Sequence, residues 1–387
     1  GAALTWTGGQ GTNVLIGGTL DLSANANSNV ILNTPTVSGT VGGNGVISGQ
    51  ILAANQTLIK VGGSTLFLTN GRTSMLPDGS VDPLGQGANQ VGAWMIMAGT
   101  LEVRTSGNAL DPFGGTNTSA LVGSLNGMAY SNASVTLNGA TLNIRNDGDN
   151  TADMQVLTSF ANNSLTIGST AAIGSNYIGS TNSVISLDRL APSTSNKTIR
   201  FGDLNYGGPL GTAFLTVNTA NAYSIAFNNI TMVKNGYLSL GTNNPNATVY
   251  GGITGNGTFY KQGAGNLFIN SDNSAAWQGG TVLNGGVTLF GVFEGNMTAL
   301  SDTVAGLVPG LVANSNLGRG NILVQPGAAL QFNSLSNIVS GWTGAIDLRS
   351  NLMANYGILR MAANAPLSSF NLRIGSLGGA QNSSWFG

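Results

Sequence analysis

Apolar and polar positions of this 387-residue chain alternate over very short stretches, and glycine or asparagine closes almost every one. Three or four residues with a period of two predict strands rather than helices. The runs are Thr19–Leu22, Val30–Leu32, Thr65–Leu68, Val135–Leu137, Leu165–Ile167, Leu238–Leu240, Asn321–Val324 and Asn371–Ile374. Asn-Gly pairs begin at 44, 70, 126, 138, 235, 256 and 284, where a left-handed backbone is easily adopted and a corner can be turned. Asn-Gly hairpins would give an antiparallel alternative. Strands that recur about 20 residues apart, as from Leu267 to Val287, with glycine corners between them, fit three-sided parallel coils better. The nearest approach to a helix is Asp302–Asn314, which Pro309 and two glycines reduce to a loop with at most one helical turn.

The chain also repeats itself. KVGGSTLFL at 60–68 matches KQGAGNLFI at 261–269, Gly99–Val103 matches Gly285–Leu289, and Gly139–Ile144 matches Gly327–Phe332. The order is kept while the spacers differ, as expected of a stacked array whose insertions fall in loops. The copies cover about 42–146 and 250–334 of a single elongated domain, 1–387. At roughly 20 to 25 residues per rung and ~4.8 Å between rungs, about 15 to 19 rungs would form a rod of roughly 70 to 90 Å.

The run Gly255-Asn-Gly257, Lys261, Gly263, Gly265, Leu267, Ile269, Trp277, Gly279-Gly280-Thr281 and Gly285-Gly286-Val287 resembles the autotransporter-associated β-strand repeat of bacterial surface proteins, with Trp277 where the family often has tyrosine. The earlier copy is looser. Residues from Arg72 to Gln90 intervene before Trp94, and no Gly-Gly-Thr follows. The resemblance implies an all-β chain folded as a right-handed parallel β-helix with loop insertions, secreted or displayed on a bacterial cell surface. It is a resemblance of architecture and names no activity.

Composition agrees with a strand-rich scaffold. Apolar residues make up 41% of the chain, enough to build a core, while charged residues make up only 7%, against roughly 25% in ordinary soluble domains. Glycine contributes 59 residues. The net charge is −1 and the 13 basic residues are dispersed singly, so no basic patch recommends a nucleic-acid partner. Cysteine and histidine are both absent, which excludes zinc sites of the Cys/His kind and removes the commonest nucleophile and base. No apolar tract approaches the ~20 residues of a membrane helix. Neither a charged-then-apolar leader at Gly1 nor a terminal block of barrel strands is expected in this chain.

Candidate chemistry is sparse. Polysaccharide-cleaving β-helices need two or three clustered carboxylates, whereas this chain has two glutamates, Glu102 and Glu294, and twelve aspartates. The one dense acidic stretch is Arg145–Asp153, in which Asp147, Asp149, Thr151 and Asp153 alternate like the opening of a calcium loop. Ala152 and Thr158 stand where an EF-hand needs glycine and glutamate. The stretch reads first as a solvated loop after a strand, with Ca²⁺ bound by Asp147, Asp149 and Asp153 as the alternative, and catalysis after that. Asp78 and Asp82 beside Pro83 read as turn formers. Glycine clusters at 8–11 and 42–45 complete no phosphate-binding motif. Lys60 and Lys261 are repeat-equivalent, which favours a shared structural role, such as covering a rung edge or donating to backbone carbonyls. The tryptophans at 6, 94, 277, 342 and 385 read as packing residues, with sugar stacking reserved for any that is exposed.

The functional expectation rests on low charge. A rod with few charges and open rungs at its ends has little to keep copies apart. Gly1–Leu15 reads as an N-terminal cap in which Leu4–Trp6 pairs with Asn13–Ile16, while Ser383–Gly387 shows no such cap, so the chain is expected to continue or to dock onto a neighbour. The leading reading is a structural stalk, coat or fibre subunit without catalysis or cofactor, whose partner is itself. The second is an adhesin for glycans or surface proteins that uses exposed tryptophan and the loops at 72–90 and 302–318. A polysaccharide lyase or hydrolase comes third.

Overall fold

In a computed structural model, the described residues are 2–5, 13–24, 29–35, 43–69, 89–105, 133–148, 151–161, 163–168, 182–207, 212–241, 243, 245–269, 277–290, 322–325, 328–332, 345–348, 358–361, 371–374 and 385–386. They form strands and turns, with no helix among them. Three sheets account for every strand. Sheet I has ten, from Ala2–Thr5 to Ile253–Gly255; sheet II has thirteen, from Asn13–Ile16 to Asn371–Ile374; sheet III has nine, from Gln155–Phe160 to Trp385–Phe386. Every pairing between these strands is parallel. Between Ser134 and Ile269 successive strands fall in sheets I, II and III in strict rotation. Parallel neighbours need a crossover, and here the other two sheets supply it.

Register stacks like upon like. On the inner side of sheet I, Val30, Leu58, Trp94, Val135, Leu165, Leu204, Ile230 and Ile253 lie in one row across eight strands, and all are fully buried. Sheet II stacks Leu66, Leu101, Leu142, Ile185, Val217 and Leu240 in the same way. In sheet III a phenyl stack runs from Phe160 to Phe201 to Phe227, with centroids 5.7 and 6.4 Å apart. Each such side chain contributes about 1.5–3 kcal/mol on burial, and the period of two keeps the row continuous because a one-residue slip would turn it outward.

The strand expectations stand with small changes of boundary. Thr65–Leu68, Leu165–Ile167 and Asn371–Ile374 are strands end to end, and Thr19–Leu22 shortens to Leu20–Asp21. Three points differ. Leu4 and Asn13–Ile16 do not pair with one another: Ala2–Thr5 joins Val30–Asn33 in sheet I and Asn13–Ile16 joins Asn44–Ile47 in sheet II, so both are ordinary members of the stack. The longest sheet has thirteen strands among the described residues against the 15 to 19 rungs expected. Bonds between neighbouring turns span 23 or 24 residues around 219–285 but 41 to 46 residues around Glu102–Lys197, so more chain separates the turns there. Finally, the repeat copies occupy different sides. Leu66–Leu68 lies in sheet II and its match Leu267–Ile269 in sheet III, and the matched strands after them keep the same offset. The repeating unit is a corner with its flanking strands, and it serves any corner of the stack. Asp302–Asn314 and the segments 70–88 and 36–42 lie outside the described residues.

Candidate functional site

The acidic loop is the first place to look for chemistry. Asp147 is 4% exposed, and its Oδ1 accepts the backbone N–H groups of Leu190 and Ala191 at 2.7 and 2.9 Å. It thus holds the corner of the next turn, 43 and 44 residues on. Thr151 Oγ1 and the carbonyl of Asp153 accept from Lys197 Nζ at 3.2 and 2.7 Å. A lysine ammonium therefore sits on the hydroxyl of Thr151, one of the alternating positions of the calcium pattern, and on the main chain of Asp153, whose side chain is exposed. Asp149 lies outside the described residues, as do Asp78, Asp82 and Glu294. Among the described residues no three His, Cys, Asp or Glu side chains come together as a metal-binding group.

Lys197 is one of three fully buried lysines, and the others are Lys60 and Lys261. Each sheet holds one. Lys60 takes a place in an inward row between Leu32 and Ile96, and Lys261 between Leu238 and Leu283. Both stems lie among aliphatic side chains while both ammonium groups turn to the corner that follows. Lys60 Nζ donates to the carbonyls of Val61, Gly62 and Ala98 at 3.0, 2.9 and 2.9 Å. Lys261 Nζ donates to Gly263 O at 2.7 Å and to Gly285 O. In each case the acceptors include the second residue after the lysine and the residue stacked on it one turn later. The expectation that these equivalent lysines donate to backbone carbonyls holds.

The geometry explains the K-x-G signature. Gly62 and Gly263 have φ of 78° and 79°, the left-handed region in which glycine carries no penalty. A Cβ on Gly263 would lie 2.1 Å from Leu240 O, so the corner excludes side chains by contact as well as by conformation. Burial pushes the Lys60 ammonium down to about 7 and that of Lys261 to about 8.

Other charges are likewise engaged. Glu102 accepts from Arg104 Nε at 2.7 Å and from Asn143 Nδ2 at 3.2 Å, and the Arg104 guanidinium lies 4.5 Å over the Phe67 ring. Arg200 lies 4.5 Å over Tyr250 and donates to Asn228 Oδ1. Asp188 Oδ1 accepts from Asn221 Nδ2 at 2.6 Å, while its Oδ2 stands 3.7 Å from Arg145. Trp94 and Trp277 are fully buried, so neither offers a face to a sugar. Trp6 and Trp342 are outside the described residues, as is the loop at 302–318.

One outward feature escaped the sequence reading. Phe214, Tyr237 and Tyr260 stand in one row on the outer side of sheet II and stack at 4.3 and 4.2 Å, with interplanar angles of 18° and 9°. Their spacing of one 23-residue turn was the signal available in the sequence. Lys197 had no counterpart in the repeat alignment and no such signal.

No described helix is long and apolar enough to cross a membrane. Comparison of the chain with protein-family models, with curated proteins and with solved structures finds no match.

Proposed function

We propose that the chain is a structural protein of the cell surface or secreted space, a right-handed parallel β-helix that serves as a stalk, coat or fibre subunit and associates with further copies of itself. The observation that carries this reading is the use made of charge. Asp147, Glu102, Asp188 and the three buried lysines each close a corner or bridge neighbouring turns, so these chemistry-bearing groups are spent on the scaffold. Right-handedness follows the rule for parallel crossovers, and the resemblance to the autotransporter-associated repeat supports it. Sheets whose strands run in parallel register leave open edges at their ends, and a chain with only 7% charged residues offers little repulsion between copies.

The test is negative-stain electron microscopy with light scattering over a concentration series. Ordered filaments or sheets are expected as the concentration rises. Rods that remain single at every concentration would overturn self-association and favour the adhesin reading, and turnover of polysaccharide that Asp147→Ala abolishes would favour the enzyme.

A further inference from the structure

The outer face of sheet II carries a ladder of stacked aromatic rings on strands that are almost free of charge. Along five consecutive strands, 182–188, 212–219, 235–240, 259–262 and 281–284, every outward position but one is uncharged. The exception, Asp188, stands at the end of its strand away from the aromatic row and is met by Arg145 and Asn221. The ladder Phe214–Tyr237–Tyr260 crosses three of these strands, and Val282 continues the row. Aromatic enrichment with depletion of charge marks the core of protein interfaces rather than solvent-facing sheet.

We infer that this aromatic row of sheet II is the side-to-side contact between two copies of the chain. The inference rests on the self-association proposed above and names its surface. Three observations select a second copy as the occupant. The rings stack on each other at 4.2–4.3 Å, which covers their faces and leaves edges outward; a pyranose needs an open ring face. A charged partner would bury its charges against a face with nothing to pair them, whereas another copy brings the same uncharged face and a net charge of only −1. A copy also shares the same inter-strand period, so rows of side chains interdigitate along the whole face, back to back about a two-fold axis.

The size of the face sets the behaviour. Five or six strands at ~4.8 Å and four to six residues of each at ~3.3 Å give roughly 300–600 Å² per copy. That falls short of the ~800 Å² per partner of a stable interface. A single pair is therefore weak, and the contact shows itself as concentration-dependent growth.

The experiment places one charge in the row. Tyr237→Lys is compared with wild type and with Thr231→Lys, which adds the same charge to the outer side of sheet I, by sedimentation and light scattering, with urea midpoints to show that each variant is folded. Tyr237→Lys is expected to raise the concentration for half-association by about tenfold or more, and Thr231→Lys by less than about twofold. If Tyr237→Lys does not fold, Val282→Lys in the same row gives the same readout. Association unchanged by Tyr237→Lys or Val282→Lys overturns this surface while leaving self-association intact. A wild type that never associates removes both proposals. An uncharged oligosaccharide that binds a single copy and is lost with Tyr237→Lys would assign the row to a glycan instead.

Discussion

Replacing Lys261 with methionine keeps the stem between Leu238 and Leu283 but removes the donor to the carbonyls of Gly263 and Gly285. Two opposing quantities result. Leaving two corner carbonyls unmatched costs about 1–3 kcal/mol each. Against that, the methionine is free of the cost of holding a buried ammonium, whose affinity for its proton burial lowers from 10.5 to about 8. At about 1.4 kcal/mol per unit, that cost is ~3 kcal/mol at neutral pH. The two nearly cancel at pH 7, so the midpoint there is a poor test and the pH profile a good one. Between about 8 and 10.5 the unfolded chain keeps the Lys261 proton while the folded chain releases it, so stability rises with pH. Lys60, lowered to about 7, adds a rise that starts earlier. Buried Tyr206 and Tyr223, whose ionisation burial opposes, reverse the trend above about 10, because the unfolded chain then loses their protons first. Urea midpoints measured from pH 7 to 9.5 are expected to climb in the wild type, with ~2 kcal/mol of that climb missing in Lys261→Met. Identical slopes would refute the reasoning and show that the carbonyls keep the ammonium charged despite its burial.

Gly236 lies under Tyr206, where a Cβ would come within 2.4 Å of the ring, so Gly236→Ala is expected to cost about 1–3 kcal/mol and to be partly rescued by Tyr206→Leu in a double-mutant cycle read by urea unfolding. Phe201→Ala breaks the phenyl stack of sheet III and is expected to cost about 3–5 kcal/mol by the same measurement; a loss below about 1 kcal/mol would mean that the stack is not packed. Asp147→Ala leaves the amides of Leu190 and Ala191 without their acceptor and should lower stability by about 1–3 kcal/mol. Adding Ca²⁺ or a chelator should leave that difference unchanged in thermal melts, whereas a wild-type melting point raised by Ca²⁺ alone would support the calcium reading.

Local pattern made the strands legible. Where period-two runs are bounded by glycine, as at Thr65–Leu68 and Leu165–Ile167, the alternation is the same physical fact as one buried and one exposed face. The K-x-G corner was legible too, because a lysine and a left-handed glycine at fixed spacing serve one hydrogen-bonding arrangement wherever it occurs. Which sheet a strand joins was not legible. Residues 60–68 and 261–269 look alike yet sit on different sides of the stack, since a corner unit carries no label for its side. Turn length was obscured for a related reason: the stretches 146–148, 151–154 and 188–197 meet through Asp147, Lys197 and Asn196 rather than through any periodic pattern. The partner of the acidic loop was not legible, because oxygen spacing along a chain carries no sign of a lysine ammonium delivered 44 residues later.

The axial stack on which the whole account rests is tested most directly by a distance along it. Thr136, Thr166, Asn205, Thr231 and Thr254 lie in one outward row of sheet I on successive strands. Because the chain has no cysteine, Thr136→Cys with Thr254→Cys can be spin-labelled cleanly and measured by pulsed electron spin resonance. Four steps of ~4.8 Å place the two backbones ~19 Å apart, and a narrow distribution near that value, widened by the label arms, is the expected result. A distribution centred beyond about 40 Å, or one as broad as that of an unfolded chain, would contradict the stack.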